Sequence, residues 1–299
     1  MNKFHCNEKY FSCMNNNNKL YIIGNGFDLH HKLPTSYTDF CNNYAKKKNV
    51  LWNHLEQIYG QDRIQNDMWW ANFEEMLGKV NYATLKNSNN GDAMGAQKAK
   101  NLIQNLSLFF GNWITSIDKQ IYLGKLTLRQ DINPNALFFT FNYTTLLEKA
   151  YKVQTDNIWH IHGSVNDFRE NPKLLIVGHD SDNGKLIQYS SNDNNQNTTP
   201  AYKDSINQEI IKGAKRVKER IIQNEEKFKQ YSNITHFIVM GFSFNEIDLP
   251  YIKKIIEVNK NVQNTKWMVY WHRDTEKDII MDRLHDFGVK EENITLENW

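Results

Sequence analysis

Four short stretches of the chain carry glycine, amide, imidazole or carboxylate groups at spacings suited to holding a phosphorylated ligand. In residues 21–40 (YIIGNGFDLHHKLPTSYTDF) an apolar run ends in Gly24, Asn25 and Gly26. A glycine pair placed there lets backbone N–H groups approach a phosphate, and a following helix N-terminus adds partial positive charge. Phe27 and Asp28 complete the GNGFD unit, where the Asp28 carboxylate could accept from a ribose hydroxyl or orient the loop. GNGFD lacks the third glycine of GxGxxG and the GK[ST] ending of a P-loop. The competing reading is a tight turn before a helix capped by Thr35 or Ser36, with Asp39 as capping-box partner.

The other three stretches have the same build. In FTFNYTTLLE (139–148), Asn142 and Tyr143 stand where a buried run opens into a loop. The Asn142 amide offers donors and an acceptor to a polar ligand. Thr144 and Thr145 read equally well as caps for the helix that follows. In HIHGS (160–164), His162 beside Gly163 is the imidazole placed for acid–base work near neutral pH. His160 is expected to face the opposite side, as a satisfied interior histidine. In MGFSFNEID (240–248), Gly241 and Ser243 could contact a ribose or phosphate and Asp248 starts a helix; alternatively Ser243 and Asn245 only cap it.

These groups need a scaffold that gathers them, and the hydrophobic pattern supplies one. Apolar runs at 19–23, 136–141, 157–161, 173–177 and 236–240 each end abruptly in small or polar residues, and 266–271 and 293–296 are further strand candidates. Short, nearly continuous apolar strands imply burial on both faces, the habit of parallel sheets under helices. Helical patterns cover 36–48, 201–231, 245–259 and 275–286. The alternation predicts an α/β, Rossmann-like fold with a mainly parallel sheet between helices, in which ligands sit at the carboxyl ends of the strands. Asn142 and His162 are separated by one helix and one strand, so a βαβ unit sets their strand ends side by side. Residues 50–128 are mostly helical in pattern and rich in aromatics, and read as a helical insertion. Residues 1–19 read as a flexible leader, 20–299 as a single domain, and 180–199 as a mobile loop.

Composition narrows the classes. Basic residues (36) and acidic residues (34) nearly balance, so no global field steers the chain to nucleic acid or membrane. The KRVKER run at 215–220 reads as one solvated face of a helix. Cys6, Cys13 and Cys41 form no CxxC pair, which excludes a disulfide framework and a four-thiolate zinc site. No metal is expected. There is no apolar run long enough to span a membrane and no signal-like segment, so the expected location is the cytoplasm.

The order and spacing of IIGNGFDLHHKLPTSYTDF, FNYTTLLE, HIHGS, VGHD and GFSFNEID resemble the AbiH family of bacterial abortive-infection proteins, over roughly 20–259. More distantly they resemble sirtuin-like NAD-binding domains of anti-phage proteins. That resemblance implies that Gly24, Gly26 and Asp28 hold NAD, that Asn142 and His162 are catalytic, and that Gly241, Ser243 and Asp248 bind ribose or phosphate. Asn25, Phe27, Thr35, Tyr143 and Gly163 complete the expected binding set. Three departures stand out: Thr144 replaces the usual Asp after Asn-Tyr, the deacetylase zinc cysteines are absent, and GNGFD is not the common GAG-x-S form. The resulting expectation is an anti-phage effector, an NAD glycohydrolase that cleaves the nicotinamide–ribose bond. The alternatives are a nucleotide sensor without turnover or a nucleic-acid-targeting effector, the last lacking a carboxylate cluster or basic stripe. A homo-oligomer or a partner defence protein is compatible with this reading.

Overall fold

β-Branched and aromatic residues concentrate in six short runs that pair as one sheet. They are β1 (Lys19–Ile23), β2 (Leu137–Thr140), β3 (Ile158–His160), β4 (His236–Met240), β5 (Lys266–Trp271) and β6 (Ile294–Asn298). The computed structural model describes residues 18–87, 92–122, 126–179 and 200–299. Every neighbouring pair of strands is parallel, in the order β3-β2-β1-β4-β5-β6. The chain therefore builds outward in both directions from β1, and the switch point lies between β1 and β4. Register aligns the carboxyl ends: Ile23 pairs with Thr140 and Met240, and Thr140 with His160.

Both faces of the sheet are covered, which is why the strands read as continuous apolar runs. Tyr21, Ile23, Phe138 and Ile158 join the core on one face. Leu20, Ile22, Phe139, Trp159, Phe237 and Val239 join the core on the other. The expected insertion is helical, from Asn49–Tyr59 through the long helix Asp92–Asp118. Its aromatic residues extend the first core: Trp70 stacks on Phe73, and Phe40 sits edge-on to Phe110. The Trp70 indole N–H is buried but donates to the Ile64 carbonyl at 2.7 Å, so the ring is buried without an unmet donor.

The structure corrects several sequence expectations. The run at 173–177 is not a strand. Asn171 caps a 3-10 turn over Pro172–Leu174, and the segment then crosses the end of β3, where the Ile176 N–H donates to the His162 carbonyl at 2.9 Å. Leu175 and Val177 are buried by covering the sheet edge instead of joining the sheet, while Leu174 is exposed. The helix expected over 201–231 is broken into Pro200–Ile211, Val217–Gln223 and Glu225–Phe228. At the break His179 and Ala214 form a parallel bridge and Arg216 takes φ +48°, so tertiary pairing overrides helix propensity. The helix expected from 245 starts at Leu249. Residues 1–17 of the leader, with Cys6 and Cys13, and the loop at 180–199 lie outside the described residues. No helix among the described residues is long and apolar enough to cross a membrane.

Candidate functional site at the carboxyl edge of the sheet

His162, Asn142, Gly24 and Gly241 follow β3, β2, β1 and β4, so four adjacent strand ends bring them to one edge. The glycines explain how two of these loops meet. The Gly24 N–H donates to the Met240 carbonyl at 3.0 Å, and the Gly26 N–H to the Gly241 carbonyl at 2.9 Å. A Cβ on Gly24 would lie 2.4 Å from the Gly241 oxygen, and one on Gly241 would lie 2.2 Å from the Phe27 nitrogen. Gly241 also holds φ +66°, a conformation that favours glycine. The loops after β1 and β4 thus touch backbone to backbone. The amides of Gly24, Gly26 and Phe27 are committed to carbonyls inside this contact.

Asp28 enters from the helix Asn25–His30 and is fully buried. Its two oxygens accept from Asn142 Nδ2 at 2.9 Å and Thr144 Oγ1 at 2.7 Å. In its ionised form Asp28 can only accept, so this contact turns the Asn142 amide nitrogen toward it and presents Oδ1 away. Thr144, the residue that departs from the sirtuin-like pattern, therefore supports Asp28 instead of capping a helix. Burial, only partly offset by the bonds from Thr144 and Asn142, pushes the Asp28 carboxyl up to about 7.

A raised carboxyl pKa means the folded state holds a proton that the unfolded chain has released. Stability from this group is complete below the unfolded value of 3.8 and is lost as pH rises toward 7. We expect wild-type stability to fall by about 2–3 kcal/mol between pH 5 and 8 relative to Asp28→Asn, measured by urea denaturation at each pH. A parallel pH profile for the two proteins would remove Asp28 as the cause.

The two histidines of HIHGS occupy different surroundings, as expected, but for another reason. Strand alternation alone would put residues 160 and 162 on the same face. The strand ends at His160, however, and the turn at 161–162 swings His162 across the edge. His160 Nδ1 donates to the Asn142 carbonyl at 2.8 Å and Nε2 lies 3.1 Å from Glu148 Oε1. Burial opposes its positive charge, but Glu148 and the Asn142 carbonyl outweigh it and raise the His160 pKa. His162 instead lies edge-on to Phe141 and Tyr251, at ring separations of 5.7 and 5.8 Å. Burial, reinforced by the charges of Lys215 and Arg220, holds its pKa well below the usual histidine value. Its Nε2 stands 3.5 Å from Asp248 Oδ1.

Lys215 is the group the sequence concealed. It is 1% exposed, pairing with Glu74 at 2.8 Å and Asp248 at 3.3 Å. Arg220, from the same basic run, donates through Nε to the Lys215 carbonyl. The run is therefore not simply one solvated helix face: the helix break described above turns Lys215 inward. Glu74 comes from the helical insertion, so the insertion contributes directly to the site. The one local signal for this arrangement is Gly213, which interrupts the helical pattern just before Lys215.

The remaining expected residues are dispersed around the edge. Tyr143 is buried and its hydroxyl donates to the Ile176 carbonyl at 2.8 Å. Gly163 takes φ +78°, and a Cβ there would lie 2.4 Å from the Leu174 oxygen. Thr35 is buried beside Asn25, whose Nδ2 donates to the Thr35 carbonyl, while Ser36 forms the capping box with Asp39. Ser243 is exposed, and neither it nor Asn245 caps the following helix, where Asp248 holds the N-cap position. Cys41 is buried and unpaired, and no cluster of three or more potential metal ligands occurs among the described residues.

A family model described as bacteriophage abortive infection AbiH matches residues 20–271. The chain belongs to the AbiH family. The matched span runs from β1 to the end of β5 and contains all the groups that meet at this edge, including Glu74 and Lys215 of AbiH as well as the motif residues. Membership ties the chain to abortive infection of bacteriophage. No match is found among curated proteins.

Proposed function

We propose that this AbiH protein is an anti-phage effector that binds NAD at the carboxyl edge of β3-β2-β1-β4 and hydrolyses its nicotinamide–ribose bond. One observation carries the reading. Asn142 Oδ1 and His162 Nε2, at the ends of adjacent strands, are shielded from solvent and make no hydrogen bond, as is Thr35 Oγ1 near the glycine loop. Unmet buried polar atoms carry a free-energy cost that a polar ligand relieves, and their placement follows the distant sirtuin-like motif order. These atoms are sealed in the present conformation, so the ligand enters by displacing the side chains around them.

Hydrolysis breaks the bond from ribose C1′ to the nicotinamide nitrogen, which keeps the electron pair, while a water oxygen bonds to C1′. Asn142 Oδ1, held outward by the grip of Asp28 on Nδ2, accepts a hydrogen bond from a ribose hydroxyl or from that water. Burial keeps the His162 imidazole neutral at neutral pH, and with its one proton on Nδ1 the Nε2 atom takes the proton the water releases. Anionic phosphates counter the field of Lys215 and Arg220, which raises the basicity of His162 when ligand is bound. The amides of Gly24, Gly26 and Phe27 are already engaged, so phosphate recognition falls on the rest of the loop and on the cations.

A second reading, a nucleotide sensor without turnover, draws on a different observation. Glu74 links the insertion to Lys215 and Asp248, giving ligand at His162 a path to the insertion surface. Incubating purified protein with NAD and separating the products by chromatography decides between them. Nicotinamide and ADP-ribose in equal amounts are expected. Saturable NAD binding without loss of NAD supports the sensor, and neither binding nor loss overturns the NAD pocket.

A further inference from the structure

Beside this edge, a cavity of about 360 Å³ opens next to the helix Leu146–Ala150. Lys119, Lys149, Lys152 and Arg169 line it, together with a single acid, Glu148. Two of the cations have a fixed seat. Lys149 pairs with the fully buried Asp118, and Arg169 lies 3.7 Å from the same carboxylate. Asp118 also accepts from the Thr145 amide and hydroxyl, so its charge is held in place beneath the cavity. Lys119 and Lys152 have no carboxylate partner among the described residues. Positive charge is therefore in excess, which calls for an anion.

Glu148 adds a second requirement. Its Oε1 is occupied by His160 Nε2, but its Oε2 is shielded and makes no hydrogen bond. A carboxylate oxygen can be satisfied only by a donor, and inorganic phosphate offers only the P–OH of the group the cations hold, not a separate hydroxyl. A molecule that combines a phosphate with sugar hydroxyls meets both demands.

We propose that this cavity is a second binding site, for a phosphorylated sugar or nucleotide, with the phosphate held by Lys119, Lys149, Lys152 and Arg169 and a ligand hydroxyl donating to Glu148. The site stands apart from the Asn142–His162 pocket and does not depend on NAD cleavage there. It nevertheless adjoins it: Glu148 holds His160, and His160 holds the Asn142 carbonyl. A ligand that draws on Glu148 acts on the same short chain of bonds that seats Asn142.

Calorimetric titration of the full chain with ribose 5-phosphate, inorganic phosphate and ribose tests the proposal. Ribose 5-phosphate is expected to bind at least about tenfold more tightly than phosphate, and ribose not at all, since a good hydroxyl–carboxylate bond is worth about that factor. Glu148→Gln keeps an oxygen for His160 but puts an amide where the acceptor was. It should bring ribose 5-phosphate down to the affinity of phosphate while leaving phosphate binding equal or tighter. Lys119→Ala with Lys152→Ala should weaken both phosphates by about tenfold or more, with the melting temperature unchanged because both side chains are exposed. Equal binding of ribose 5-phosphate and phosphate to wild type, no binding of either, or a Glu148→Gln protein that still prefers ribose 5-phosphate would overturn it.

Discussion

Replacing Asn142 or His162 with alanine is expected to lower NAD cleavage by about 100-fold or more, the scale of losing a positioning or acid–base group. Each stands beyond the end of its strand, so the sheet register survives and circular dichroism should match wild type. His160→Ala makes the comparison internal to one motif. Its imidazole is bonded to the Asn142 carbonyl and to Glu148, so its loss strands Glu148 and lowers stability by about 2–3 kcal/mol. Cleavage by the folded fraction should fall less than about tenfold. If His162→Ala keeps wild-type turnover while His160→Ala loses it, the roles of the two imidazoles are reversed. Wild-type turnover in Asn142→Ala and His162→Ala alike would place the chemistry elsewhere.

Lys215→Met is expected to destabilise the protein by about 3–5 kcal/mol, because it leaves the charges of Glu74 and Asp248 without their shared cation. Burial works against the ammonium, yet the two carboxylates outweigh it and raise the Lys215 pKa, which marks the ion pairing as favourable in place. Urea denaturation of Lys215→Met, alone and with Glu74→Gln, checks this. The second change removes one stranded charge and should recover part of the loss, an interaction between neighbours that independent sites do not show. A loss under about 1 kcal/mol would mean that water, not Lys215, satisfies the two acids. The same substitution removes a cation from beside His162, so the pKa of His162, followed by NMR, should rise.

The parts of this fold that local pattern determines were legible in sequence. β1, β4 and β5 coincide with the apolar runs at 19–23, 236–240 and 266–271, because a strand buried on both faces has little freedom in composition. The gathering of Gly24, Asn142, His162 and Gly241 followed from the same alternation. What local pattern does not determine was misread. The run at 173–177 has strand-like composition, but burial can be achieved by covering a sheet edge, and a capped turn at Asn171 directs it there. The break before Val217 depends on pairing between His179 and Ala214, which no local periodicity reports. Lys215 looked solvated because its acid, Glu74, is 141 positions away in sequence. Of the two roles open to Asp28 in sequence, a ribose contact or orienting the loop, local pattern does not choose, and its two oxygens accept from Asn142 and Thr144.

The salt bridge between Glu74 and Lys215 bears on how the family can diversify. An insertion between the first two strands ordinarily tolerates exchange, since its loss leaves the sheet intact. Here the insertion holds one charge of a three-residue set whose other members lie beyond β3 and β4. Residues 74, 215 and 248 are therefore free to drift only together: an apolar residue at 215 calls for neutral residues at 74 and 248. Chimeras that graft a foreign insertion onto this sheet will fold best when the donor brings an acid to the place of Glu74. The boundary at which such grafts succeed is set by charge inheritance, not by where the helices begin and end.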